Sequence, residues 1–170
     1  CPVFETGSAV LAEGACTYGR AGASRTDQES SGETGGARFE DTFLLIGGQT
    51  EIAPDLFLGG AIGYRDTRMS GDDGVSADGY SVQGAVTLKY QTGPWLLTGA
   101  VFGNFGEDDV EREVGLGAYG GVAEGTATSR SFGLRARAAY TAGSERLYLR
   151  PSLTLDGLYA RTDAWKEDGV

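Results

Sequence analysis

Between Asp78 and Tyr90 the chain alternates with a period of two, and both the faces and the ends of that run are chemically distinct. Tyr80, Val82, Gly84, Val86, Leu88 and Tyr90 share one face; Ser81, Gln83, Ala85, Thr87 and Lys89 share the other. Such alternation is the signature of a β-strand with one apolar and one polar side. The apolar side starts and ends on tyrosine. Ten steps of ~3.3 Å, tilted by about 40°, project to about 25 Å, the height of the apolar band of a bilayer-spanning barrel. Tyrosine at each end fits the two aromatic girdles of such a band.

The pattern recurs. Trp95, Leu97, Gly99, Val101, Gly103 and Phe105 oppose Leu96, Thr98, Ala100, Phe102 and Asn104, and only Gln91-Thr92-Gly93-Pro94 separates this run from the previous one. The two therefore read as a hairpin. Phe132 to Tyr140 and Leu147 to Tyr159 form a second hairpin about Ala142-Gly143-Ser144, with Pro151 marking a bulge or a weak pairing because it lacks a ladder donor. Leu56, Leu58, Gly60, Ile62 and Tyr64 oppose Phe57, Gly59, Ala61, Gly63 and Arg65. Residues 39–49 and 17–26 are earlier, less clearly faced runs, so seven strands are expected.

Charge separates the faces. In the five clear strands Arg65, Lys89, Arg135, Arg137, Arg150 and Asp156 all fall opposite the apolar side. A soluble sandwich puts its charges outside and its apolar residues inside. An apolar belt facing lipid around a wet interior explains this arrangement better. The expected lipid-facing girdles are Tyr64, Tyr80, Tyr90, Trp95, Phe105, Phe132, Tyr140 and Tyr159, and the six charged residues are expected to face the lumen. Connections at 50–55, 91–94 and 141–146 are short, those at 27–37, 66–77 and 106–127 long, matching short periplasmic turns and long extracellular loops. No stretch reaches the ~18 apolar residues of a membrane helix, which strands do not need. The 29 glycines follow no three-residue period, and several sit inside apolar runs where curvature or close backbone approach calls for them.

Composition excludes several functions. With no histidine, Ser-His-Asp and Cys-His catalysis and the commonest zinc ligand are absent. A net charge of −10 without a basic stripe argues against nucleic acid. Arg150 and Asp156 lie ~20 Å apart along one extended strand, too far for a catalytic pair. No nucleophile, base and orienter converge, so neither an enzyme nor a cofactor is expected. Gly71-Asp72-Asp73-Gly74 and Glu107-Asp108-Asp109 lack the spacing of a calcium loop and read as solvated acidic loops. Cys1 and Cys16 are close enough to close a short loop in an exported protein; two unpaired thiols are the alternative. A lipidated Cys1 is a lesser one.

Seven strands leave two open edges, which lipid does not tolerate, and the chain ends in the polar Trp165-Lys166-Glu167-Asp168-Gly169-Val170. A continuation past Val170 is expected. The order Cys1-Pro2-Val3-Phe4, Cys16-Thr17-Tyr18-Gly19-Arg20, Arg25-Thr26-Asp27-Gln28, Gly47-Gly48-Gln49, Leu56-Phe57-Leu58-Gly59-Gly60, Gly93-Pro94-Trp95 and Tyr148-Leu149-Arg150-Pro151 resembles an autotransporter β-domain, the translocator barrel of type V secretion. The resemblance implies an all-β, antiparallel up-and-down barrel of twelve strands in the outer membrane of a Gram-negative bacterium, present here over about seven. It implies one partial domain over 1–170, with 1–15 as a lead-in and strands and loops from 16 on. It also implies export of an attached passenger, absent from this chain, and contact with outer-membrane lipid, lipopolysaccharide and the barrel-assembly machinery. Family members carry a lumenal helix before the first strand, and here no helix is legible. Two alternatives remain in the sequence, beside a soluble ligand-binding β-barrel that the uncharged face with aromatic ends disfavours. One is a complete eight-stranded barrel serving as an anchor or adhesin, with Ser8 to Ala12 as its eighth strand. The other is a barrel enzyme, which the missing histidine disfavours.

Overall fold

The structure is a computed structural model and describes residues 2–4, 11–31, 35–72, 74–116, 119–144 and 147–163. The described residues form eleven strands. A short antiparallel pair, β1 (Pro2–Phe4) and β2 (Leu11–Glu13), precedes β3 (Cys16–Gln28), β4 (Ala37–Ala53), β5 (Leu56–Gly71), β6 (Val75–Thr92), β7 (Trp95–Leu116) and β8 (Tyr119–Tyr140). A second short pair, β9 (Ala142–Ser144) and β10 (Leu147–Leu149), leads into β11 (Ser152–Thr162).

The main sheet has seven strands in the order β11-β8-β7-β6-β5-β4-β3, each antiparallel to its neighbours, an up-and-down meander whose ends do not meet. Direct register partners lie on one face, so the ladder carries each face across the sheet. Ile62, Gly84, Gly103, Phe132 and Tyr159 form one continuous row. Gly63, Gln83, Asn104, Ser131 and Ala160 form the next, pointing the opposite way. The first row belongs to an apolar, aromatic face and the second to a polar face.

At one end, two-residue turns join the strands. Pro54-Asp55 links β4 to β5, with Asp55 at φ 63° and its N–H held by the Glu51 carboxylate at 3.0 Å. Gly93-Pro94 links β6 to β7, where a φ of 53° favours glycine. At the other end the long connections expected at 66–77 and 106–127 are largely strand. β5 and β6 are separated only by residues 72–74, and β7 and β8 run 22 residues each. Twenty-two residues span about 70 Å, whereas crossing a bilayer takes only about 9–11 tilted residues. The β7–β8 hairpin thus projects well past the apolar band. Glu107, Asp108 and Asp109 lie within β7 and are not loop residues. The expected seventh strand is broken at Arg150-Pro151, and the Pro151 carbonyl still accepts the Tyr140 N–H at 3.0 Å. Leu11 and Ala12, expected as part of an eighth barrel strand, pair instead with Phe4 and Val3.

Little of the sheet is buried in protein. Among the described residues only Phe57, Ala123 and Ala139 count as buried apolar side chains, and Ile62, Val86 and Leu134 are more than half exposed. In three direct cross-strand pairs an aromatic ring packs over the facing glycine: Tyr18 on Gly47, Phe43 on Gly22, and Phe102 on Gly133. A Cβ on Gly22 or Gly47 would stand 2.7 Å from the partner ring, and one on Gly133 would overlap Phe102. Each ring lies across its neighbour's bare backbone, the packing that rescues glycine in a strand.

Candidate functional site

The aromatic face carries Tyr64, Tyr80, Tyr90, Trp95, Phe105, Phe132, Tyr140 and Tyr159. The register places all eight on one side of the sheet. Tyr64 and Tyr80 stack at 6.3 Å near one border, and Trp95 and Tyr140 meet at 4.8 Å near the other. Beyond the first border the same face turns charged within one step. Asp66 follows Tyr64, Asp78 precedes Tyr80, Glu107 follows Phe105, Arg130 precedes Phe132, and Arg161 follows Tyr159. On five strands an aromatic residue and a charge are thus consecutive on one face, ~6.8 Å apart.

The polar face holds Arg65, Lys89, Arg135, Arg137 and Asp156 on the main sheet, and Arg150 beside them just before Pro151. The Arg135 guanidinium grips Asp156 across two strands, with bonds of 2.6 and 3.0 Å. Arg137 donates to the Ser152 hydroxyl at 3.2 Å. Arg65 and Arg20 approach the Phe43 ring at 5.9 and 5.7 Å, so a ring lies between two cations. Asp156 pairs across the strands with Arg135, and Arg150 instead lines a groove.

That groove, of ≈ 520 Å³, is lined by Lys89, Phe102, Arg135, Arg137 and Arg150, and the lead-in supplies Glu13. The Glu13 side chain is 5% exposed. Its carboxylate accepts the Lys89 ammonium at 2.9 Å and the Gln49 amide at 2.9 Å. The Glu13 N–H donates to the Gln91 side chain at 2.8 Å, and Gln49 also donates to the Gly14 carbonyl at 2.7 Å. The lead-in is therefore fastened to β4 and β6. Burial alone would raise the Glu13 carboxyl, but the bonds from Gln49, Lys89 and the N-terminal amine, with the Lys89 charge, outweigh it and hold it down to about 2. Glu13, Gln49 and Gln91 were not legible as site residues, because residues 1–15 show no period and a lone carboxylate carries no signal. Cys16 is not a free thiol; Cys1, its expected partner, lies outside the described residues.

Residues 17–170 match the family model of the autotransporter β-domain. The chain belongs to that family. The β-domain also superposes on the translocator domain of autotransporter NalP from Neisseria meningitidis, with a TM-score of 0.69 at 16% identity, over 92% of this chain and 52% of that one. It thus spans about half the length of that solved domain and shares its fold. No curated protein is similar enough to match the chain.

Proposed function

We propose that this β-domain works in the outer membrane as the translocator barrel through which an attached passenger segment reaches the cell surface. One observation carries the reading: a sheet whose aromatic face meets charge at a sharp border on five strands, with cations concentrated on the opposite face. In this reading Tyr64, Tyr80, Phe105, Phe132 and Tyr159 sit at the outer membrane–water interface and Tyr90, Trp95 and Tyr140 at the periplasmic one. The projecting ends of β5 to β8 stand in the extracellular medium. Arg65, Lys89, Arg135, Arg137, Arg150 and Asp156 face water in the lumen.

The chemistry asked of such a wall is modest. A polypeptide in transit needs hydrated, replaceable partners and no catalytic group. Guanidinium and ammonium groups supply donors for its carbonyls and carboxylates, and solvent-exposed pairs such as Arg135–Asp156 exchange partners easily. The lead-in through residue 15 connects the passenger side to the first strand, and Glu13 moors it to the wall. Insertion into lipopolysaccharide-bearing membrane, with the barrel-assembly machinery as helper, completes the proposal.

The test is surface display. A full-length protein carrying an epitope-tagged passenger is expressed in a Gram-negative host. Passenger cleavage by external protease on intact cells, together with a heat-modifiable band in the outer-membrane fraction, supports the reading. A band with the passenger retained in the periplasm would leave a barrel that anchors and does not translocate.

A further inference from the structure

The five aromatic–charge borders are not alike. On β5, β6 and β7 the first charge past the aromatic residue is an acid: Asp66, Asp78 and Glu107. On β8 and β11 it is arginine, and those strands are neighbours. Arg130 and Arg161 are direct register partners, as are Phe132 and Tyr159 one step below them. Two guanidinium groups therefore stand side by side above two aromatic rings. Like charges directly opposite each other destabilise a sheet unless something neutralises them.

Asp163 meets that need in part. Its carboxylate forms ion pairs with Arg161, at 3.1 Å, and with Arg130, and its N–H donates to the Thr128 carbonyl at 2.9 Å. Among the described residues, one carboxylate against two guanidinium groups leaves a net positive charge. Arg130 and Arg161 remain 58% and 64% exposed, so Asp163 engages only part of their ten N–H donors. Asp163 holds the pair in place without saturating it.

We propose that Arg130 and Arg161 form a phosphate-binding clamp for a phosphorylated lipid of the outer leaflet. Paired guanidinium groups match the tetrahedral oxygens of a phosphate through bidentate, charge-assisted bonds. The clamp lies one step, ~6.8 Å, past Phe132 and Tyr159 along their strands, with Arg130 the register partner of Phe105, so it stands at the outer girdle where lipid headgroups begin, on the face that carries the apolar band. Elsewhere along the border, Asp66, Asp78 and Glu107 repel the same ligand, which confines the site to the β8–β11 sector.

The inference rests on the membrane-spanning reading, and the experiment separates the two. Full-length protein is extracted from outer membranes in mild detergent and checked for heat modifiability. Its binding of phosphorylated lipid A, dephosphorylated lipid A and phosphatidylcholine is then compared by native mass spectrometry. Phosphorylated lipid A is expected to bind best, with about a tenfold loss in the Arg130→Gln/Arg161→Gln double variant and a smaller loss in the double lysine variant. Arg25→Gln/Arg38→Gln, which alters charge at the far edge, is expected to bind as wild type. Equal binding by the double glutamine variant, or an equal loss in the far-edge control, overturns the clamp. Complete displacement by millimolar inorganic phosphate overturns a lipid as its ligand. Protein that is not heat-modifiable refutes the membrane reading itself.

Discussion

Replacing Glu13 by glutamine removes one charge and almost no volume, which isolates the mooring of the lead-in. The Glu13 carboxylate is 5% exposed and takes hydrogen bonds from Lys89 and Gln49, both at 2.9 Å. A charge-assisted bond contributes about 1.5–3 kcal/mol, and glutamine keeps only a neutral acceptor, so a loss of about 2–3 kcal/mol is expected. Linkage gives a similar size. The carboxyl falls from 4.5 to about 2 on docking, which at 1.36 kcal/mol per unit amounts to at most about 3 kcal/mol, of which the bond to the chain's N-terminal amine supplies a part. Because the docked value is the lower one, this contribution is complete above about pH 4.5 and disappears as pH falls towards 2. A loss of 2–3 kcal/mol multiplies the undocked population about 30- to 150-fold. Two readouts follow it in full-length protein: exchange of the Ala12 to Ala15 amides at neutral pH, and open probability in planar bilayers from pH 7 to pH 2. Glu13→Gln is expected to exchange faster and to open more often at pH 7, while wild type converges on it near pH 2. Identical exchange in the two proteins, with a flat wild-type pH profile, would refute the reasoning.

Three further substitutions test other parts of the account. Val101→Arg puts a cation at the middle of the apolar band and is expected to cost about 2–4 kcal/mol, seen as loss of the heat-modifiable band. Gln83→Arg, on the polar face, is expected to cost less than about 1 kcal/mol by the same gel. Gly133→Val forces a side chain into the Phe102 ring and is expected to cost about 1–3 kcal/mol in urea unfolding, with most of the loss recovered by adding Phe102→Ala. Maleimide labelling of unfolded, unreduced protein is expected to leave Cys1 and Cys16 unmodified and to label both after reduction. Two labels before reduction would sink that pairing.

On the proposed function, what the sequence disclosed follows from where water and lipid meet the sheet. Between Tyr80 and Tyr90 the two faces touch media of opposite polarity, so each residue is constrained and the alternation is plain. The same holds from Trp95 to Phe105, and those strands were legible residue by residue. Past Phe105 both faces meet water. Glu107, Asp109 and Glu111 on one side and Asp108 and Arg112 on the other are equally acceptable there, the period vanishes, and a strand reads as an acidic loop. Its continuation is set instead by backbone pairing, from Gly106–Ser129 up to Leu116–Tyr119, which no composition pattern reveals. Pro151 was legible as an irregularity because its missing N–H is a local property, and the ladder does break there.

Glu13 was hidden for a different reason. Its role depends on Lys89, 76 residues away, and on Gln49 and Gln91, neither of which is unusual at a strand end. Lys89 was legible as a charge on the polar face, but its partner was not, because β2 is three residues long and too short to declare a period. The Arg130–Arg161 pair lies between these cases. Each arginine stands one step from an aromatic residue on its face, which marks a border in sequence, but their juxtaposition needs the β8–β11 register. A strand pattern reports what medium each face meets. Contacts that join distant strands, where this domain holds its lead-in and gathers its charges, depend on register and become visible only when the sheet is assembled.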